Sequence, residues 1–266
     1  LEATVRVGFV EWPEELEPDT SQWDAIANRL AATQVELLIT NELPFGPWIA
    51  GSKPFDRATA QASIDTHAAG IDALMQLPVS AIVSSRPVWG PDRLLNQAVA
   101  IEGGRVRPIH TKQFFPEEPD WYEASWFEPG PIRFEPAEVS GLHLGVLLCT
   151  DAMFNEHARH YGRRGTTLIA LPRATGTKTE NWLTAGRMAA LVSGNYVVSS
   201  NRSGRSRNGA KFGGAGFAFG PDGTLLATTD ASNPLLVIDV DPDLATRQRS
   251  EYPCYVAERT DKSSPK

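Results

Sequence analysis

Short apolar runs, each sized for a single strand and each closed by a polar residue, recur along this chain and alternate with segments of helical period. Val5–Val10, Val35–Thr40, Val79–Ser85, Leu142–Leu148, Thr167–Leu171 and Tyr196–Asn201 are such runs. A strand that is apolar at consecutive positions must be covered on both faces, and helices between the strands supply that cover. The intervening segments predict helices over Trp23–Ala32, Pro54–Gln76, Asn155–Tyr161 and Glu180–Val192. The second carries apolar or small residues at Ile64, Ala68, Ile71, Leu74 and Met75, the spacing of one helical face. Asn96–Glu102 and Val106–His110 read as strands around a Gly103-Gly104 hairpin turn. Gly216–Gly220 and Thr224–Ala227 do the same around Pro221-Asp222-Gly223, and Leu235–Val240 is a further strand. The pattern predicts one α/β domain over residues 1–250, with mixed strands and helices on both outer faces, and a loosely held polar tail over 251–266. The Pro-, Glu- and aromatic-rich stretch from Thr111 to Pro131 is too long for a connector and is expected to be functional or an interface.

Composition narrows the function. A net charge of −7 argues against nucleic acid and anionic membrane surfaces as partners. No apolar run reaches the length that spans a bilayer. Leu1-Glu2-Ala3-Thr4 leads directly into a strand, with no visible signal peptide. Two cysteines, Cys149 and Cys254, make no disulfide scaffold, so a reducing cytoplasm is the expected compartment.

Chemistry is suggested where the apolar runs stop. Cys149 ends Leu142–Leu148 and precedes a turn and a predicted helix. There a thiol lies at the carboxyl edge of the sheet, and a helix N-terminus would lower its pKa and offer N–H groups to an oxyanion. The bland alternative is a small buried hydrophobe, the commoner state of a free cysteine. Glu42, just past Val35–Asn41, suits a general base in a half-desolvated cleft, or equally a cap or surface charge before Pro44-Phe45-Gly46-Pro47. Lys112, just past Val106–Thr111, could steady an oxyanion, although lone lysines are mostly on surfaces. Each is weak alone; together they are not.

These three in chain order resemble the nitrilase superfamily of carbon–nitrogen hydrolases, whose members use a Glu, a Lys and a Cys. The glutamate segment resembles Leu38-Ile39-Thr40-Asn41-Glu42-Leu43-Pro44-Phe45-Gly46, and the lysine segment His110-Thr111-Lys112-Gln113-Phe114-Phe115-Pro116. The cysteine pattern, Cys-x-Asp/Glu-x-x-Phe-Pro-Glu-x-x-Arg, reads Cys149-Thr150-Asp151-Ala152-Met153-Phe154-Asn155-Glu156-His157-Ala158-Arg159, with Asn155 in place of Pro. A second family glutamate matches Glu123. The resemblance runs from Val5 to about Val240 and takes in Gly165–Pro172 and Tyr196–Arg202. It departs at Val192-Ser193, where many members have Glu-Asn, and at Gly214-Ala215-Gly216, where many have Ser.

The resemblance implies a four-layer αββα sandwich that pairs through its helical faces into a homodimer or larger assembly. It implies acyl transfer with Cys149 as nucleophile, Glu42 as base, and Lys112 with the Thr150 N–H as oxyanion donors. Glu123 would orient Lys112 or share a proton network with Glu42. No cofactor and no metal are required. Cys149-Thr150-Asp151 is closer to the amidase and carbamoylase branches than to the Cys-Trp-Glu of true nitrilases, so a small-molecule amide or N-carbamoyl compound is the expected substrate. The alternatives are a nitrile, or a binding or acyl-transferring role. Ala152 and Met153 lack the arginines that carbamoylases resembling Cys-x-Asp-Arg-Arg present to a carboxylate. Arg173 could bind an acid group instead, or form a surface salt bridge. Trp121 and Trp126 flank Glu123 and could line a pocket, while the other tryptophans read as core or interface. His157 and His160, three apart, lack the further ligands of a metal site. Gly213–Gly216 reads as a bend or close backbone approach, and Arg202, Arg205, Arg207 and Lys211 as a solvated or interface basic loop.

Overall fold

The computed structural model describes residues 4–258. In its first half, β1 (Val5–Pro13), α1 (Ser21–Thr33), β2 (Leu37–Ile39), α2 (Arg57–Leu74) and β3 (Ala81–Trp89) alternate as expected. They are followed by β4 (Leu94–Glu102), β5 (Arg105–Thr111) and the one-turn α3 (Glu123–Trp126). The second half runs β6 (Ala137–Val139), β7 (Leu142–Val146), α4 (Asn155–Arg163), β8 (Leu168–Arg173), α5 (Glu180–Ser193) and β9 (Tyr196–Arg205). It closes with β10 (Lys211–Gly213), β11 (Phe217–Phe219), β12 (Leu225–Thr228), β13 (Leu235–Val240) and α6 (Pro242–Gln248).

The strands form two sheets. One has the order β5-β4-β3-β2-β1, with β13 antiparallel on β1; the other runs β9-β8-β7-β6, with β10 and β11 on β9 and β12 on β11. The end of β1, Glu11–Pro13, leaves the first sheet and pairs in parallel with Asn201–Ser203 of β9, which joins the two. Side chains alternate with period two and so sort the core into layers. Val7, Phe9, Leu37, Ile39, Val83, Ala98 and Ala100 of the first sheet meet Leu144, Val146, Leu148, Leu168, Ala170 and Val198 of the second. Their neighbours point the other way. Leu38, Ile82, Val99 and Ile101 pack with Trp23 and Leu30 of α1 and Ile71 and Leu74 of α2. Leu147, Ile169, Leu171 and Val197 pack with Ala158 and Tyr161 of α4 and Ala189 and Ala190 of α5. The result is the αββα sandwich that the resemblance implied.

Local chemistry sets the element ends. Asp56 accepts the Thr59 N–H at 2.8 Å, so α2 starts after the cap and not at Pro54. Gly103 and Gly104 both adopt positive φ, at 56° and 71°, as a tight β4–β5 hairpin requires. Gly145 leaves space on β7 for the Tyr161 ring; a Cβ there would lie 2.6 Å from it. Tyr161 then donates its hydroxyl to the Val146 carbonyl at 2.9 Å.

Two expectations need correction. The segment from Glu251 to Glu258 is docked: Arg159 donates to the Pro253 and Val256 carbonyls and pairs with Glu258 at 2.7 Å. Lys262–Lys266, also expected to be loose, lies outside the described residues. Arg202 belongs to no solvated loop. It is buried, paired with Glu14, and donates to the Leu43 and Gly46 carbonyls. Arg207 does stay on the surface, paired with Glu15 at 2.7 Å.

Candidate active site

Topology brings the singled-out residues together. β1, β2 and β3 are parallel, β5 runs with β3 across the intervening β4, and β7, β8 and β9 are parallel to β1 through the joining pair. The carboxyl ends of β2, β5, β7 and β8 therefore open at one end of the sandwich, where α/β sheets place ligands. Glu42 follows β2, Lys112 follows β5, Cys149 follows β7 and Ala174 follows β8.

Glu42, Lys112 and Glu123 are buried in contact. The Lys112 ammonium donates to Glu42 Oε1 at 2.8 Å and to Glu123 Oε2 at 2.5 Å. Asn96 donates to the same Glu42 oxygen at 2.8 Å, and the Ala174 N–H donates to Oε2 at 3.1 Å. The next residue, Leu43, has φ of 44° and is fixed by its N–H to Ser85 Oγ at 2.7 Å. Burial works against the Lys112 charge, but the Glu123 and Glu42 carboxylates outweigh it and hold the ammonium well above the ordinary lysine range. Burial pushes Glu123 up to about 7 against the pull of Lys112, with the Glu42 charge adding to the rise.

Cys149 differs from expectation in one respect. It opens a 3₁₀ turn, Cys149–Met153, and α4 starts only at Asn155, so no α-helical N-terminus points at the sulfur. Burial, reinforced by Glu42, drives the thiol well above the usual cysteine range; Lys112 pulls it down and Glu123 up. A thiol pushed in that direction calls for a base to take its proton as it attacks. Its φ of 50° is left-handed backbone, uncommon for a side-chain-bearing residue and a recurrent feature of functional turns.

The residue that fixes this turn is Asp151. Its Oδ1 accepts the Gln113 and Phe114 N–H groups at 3.0 and 3.2 Å, and its Oδ2 accepts the Leu148 N–H at 3.2 Å and faces His110 Nε2 at 2.8 Å. One buried carboxylate thus ties the cysteine turn to the lysine segment. Read in the sequence only as a branch marker, Asp151 is a structural link.

Cys149, Thr150 and Glu123 open on a cavity of about 650 Å³, walled by Trp121, Ala174, Thr175 and Trp182. Glu118, Asp120, Lys178, Arg205 and Lys211 bring charge to the same cavity. Trp126 does not reach it: packed against Phe55 at 5.4 Å, its indole N–H donates to the Ser52 carbonyl at 2.7 Å. Nor does Arg173 present an acid-binding group; its guanidinium is wholly buried and donates to Ser199, Thr175 and the Ala215 carbonyl. That carbonyl is presented by the glycine-rich bend, where Gly214 and Ala215 take φ of 58° and 55°. His157 stacks on Phe134 with centroids 3.6 Å apart and serves packing. Among the described residues no cluster of His, Cys, Asp and Glu is arranged to hold a metal ion, and no helix is long and apolar enough to cross a membrane.

The sequence profile of the carbon-nitrogen hydrolase family matches residues 3–250. Among curated proteins, the chain is similar to the N-carbamoylputrescine amidase of Arabidopsis thaliana, 28% identical over 169 residues that cover 58% of this chain and 56% of that one. It is also similar to the 2-oxoglutaramate amidase of Paenarthrobacter nicotinovorans, 27% identical over 58% of this chain and 52% of the other. These matches span about half the length of the curated relatives. In fold it is similar to a carbon-nitrogen hydrolase from Helicobacter pylori G27, with TM-score 0.83 and 23% identity over 96% of both chains. An amidase from Nesterenkonia sp. has TM-score 0.74 and 23% identity over 94% of this chain and 95% of its own.

Proposed function

The chain belongs to the carbon–nitrogen hydrolase family, and on that premise we propose that it hydrolyses a small carboxamide or N-carbamoyl compound through a thioester on Cys149, releasing ammonia. Glu42 takes the thiol proton as Sγ attacks the carbonyl carbon. Lys112 and the Thr150 N–H receive the oxyanion, and Glu42 returns the proton to the departing nitrogen. A water that gives its proton to Glu42 then adds to the thioester, and collapse regenerates thiol and acid. Glu123 keeps Lys112 charged and oriented throughout.

The observation that carries this reading is the buried Glu42–Lys112–Glu123 cluster at the sheet edge where the Cys149 turn also lies. The carboxylate that Lys112 binds at 2.8 Å is the candidate base. The cavity volume falls within the range of small-molecule sites. The expected assembly is a homodimer or larger, formed through the helical faces.

Mass spectrometry tests the chemistry. Incubation with a small amide is expected to add an acyl group to Cys149 that decays in water, and Cys149→Ala is expected to remove both adduct and turnover. Full amide hydrolysis by Cys149→Ala would sink the proposal. Decay only on adding an amine would indicate acyl transfer, and turnover of nitriles but not of matched amides would indicate a nitrilase.

A further inference from the structure

Arg173 is the one buried cation described above whose hydrogen-bond partners are all neutral. Lys112 has two carboxylates and Arg202 has Glu14. Arg173, with no measurable exposure, donates from Nε to Ser199 Oγ at 2.6 Å, from Nη1 to Thr175 Oγ1 at 3.1 Å and from Nη2 to the Ala215 carbonyl at 2.8 Å. Its guanidinium lies 4.7 Å from the Phe217 ring centre and 5.5 Å from that of Trp182. A buried charge without a counter-ion is costly, and a packed arginine of this kind calls for a compensating anion nearby.

Among the described residues no carboxylate pairs with the guanidinium directly; the link to an anion runs through the backbone. The Arg173 carbonyl accepts the Glu42 N–H at 3.1 Å, and the following N–H, that of Ala174, donates to Glu42 Oε2 at 3.1 Å. Both sides of the Arg173–Ala174 peptide are engaged by the glutamate, and Ala174 and Thr175 line the cavity with Cys149. The side chain in turn anchors this strand end. Ser199, which accepts from it, donates to the Leu171 carbonyl at 2.7 Å, and Ala215, which also accepts from it, donates its N–H to Glu11 at 2.9 Å.

We propose that Arg173 is a positioning residue for the Glu42–Cys149 pair: it fixes the strand end that grips Glu42, and it places a permanent positive charge behind the pair. This rests on Glu42 and Cys149 having the roles given above. Glu42 Oε1 faces Lys112 and Asn96, and Oε2 accepts from the Arg173–Ala174 peptide, so the carboxylate has a cation on one side and the backbone that Arg173 anchors on the other. As the proton leaves Sγ for Glu42, the negative charge passes from carboxylate to sulfur and then to the oxyanion. Arg173 neither gains nor loses a proton and stays near that charge throughout. Burial lowers the guanidinium to about 10 while Cys149 and Glu42 act to raise it, so it remains charged at neutral pH. The charged and titratable groups around the pair are Lys112, Glu123 and Arg173.

The test compares Arg173→Gln with Arg173→Lys by the pH dependence of Cys149 alkylation with iodoacetamide, which needs no amide substrate. Arg173→Gln is expected to slow alkylation at neutral pH about tenfold and to move its midpoint to higher pH. With amide substrate its kcat is expected to fall about 10²-fold with little change in KM, because the side chain does not touch the cavity. Arg173→Lys keeps the charge but not the fork, so the alkylation midpoint stays while kcat falls. Wild-type alkylation rate and midpoint in a folded Arg173→Gln protein would overturn the proposal. If that variant fails to fold, Ser199→Ala frees the guanidinium without removing it; lost kcat with an unchanged alkylation midpoint supports the positioning role, and unchanged kcat refutes it. Arg173-dependent alkylation in a protein that turns over no amide would refute the substrate reading and leave this role standing.

Discussion

Asp151→Asn should be far more damaging than its single-atom change suggests. The carboxylate is fully buried and accepts from three backbone N–H groups, those of Gln113, Phe114 and Leu148. It also faces His110 Nε2 at 2.8 Å, while His110 Nδ1 lies 3.2 Å from the Arg133 carbonyl. An asparagine retains one acceptor oxygen. Turned to keep Gln113 and Phe114, it points its NH₂ at the Leu148 N–H and at His110. One buried N–H is then unpaired, at about 1–3 kcal/mol, and a charged hydrogen bond is lost, at about 1.5–3 kcal/mol. The sum is about 4 kcal/mol. For a chain of this size that is a fall in Tm of about 10 °C. The same carboxylate sets the spacing between the cysteine turn and the lysine segment, so kcat at a temperature where the variant is folded should fall about 10²-fold. Urea and thermal unfolding, paired with amide turnover, read both effects. A Tm within about 2 °C of the parent with undiminished kcat would refute the link.

Two further outcomes follow from buried charge. His67 is buried, with Nδ1 2.8 Å from the Ser63 carbonyl, and burial lowers it to about 4. Above its unfolded value both states are neutral and stability is level. As pH falls from about 6.5 toward 4 only the unfolded chain takes up the proton, so about 2 kcal/mol is lost by pH 5. Urea unfolding at pH 7 and 5 should show that loss in the parent and not in His67→Gln; an equal loss in both would dismiss His67 as its source. Glu14→Gln leaves the buried Arg202 guanidinium without its anion, which should cost about 3 kcal/mol. Because Arg202 also holds the Leu43 carbonyl, next to Glu42, turnover should drop as well. Unchanged stability by urea unfolding would contradict this account.

The parts of the site legible in the sequence are those that follow from where an apolar run ends. Glu42, Lys112 and Cys149 are each the first chemically active residue past a strand, and parallel strands that share a direction must bring such residues to one edge. The apolar runs implied helices on both outer faces, and the two-sheet layering came from the resemblance; in the structure runs such as Leu37-Leu38-Ile39 divide between the inner and outer faces. What escaped depends on partners distant in sequence. Arg173 ends β8 and Lys112 follows β5, yet one lies behind the cavity wall and the other against two carboxylates; the difference is made by Ser199 and Ala215, on another strand and in a glycine-rich bend. Arg202 reads as one cation among four in a polar stretch, and only Glu14, 188 positions away, turns it into a buried strut. Trp126 flanks Glu123 in sequence, but the single turn of α3 directs its indole to Ser52. Strand periodicity is local and survives translation into three dimensions, whereas the fate of a charge is set by the partner that folding supplies. Asp151 combines both: its place two residues past Cys149 is plain in the sequence, and its work, holding the lysine segment 38 positions away, belongs wholly to the fold.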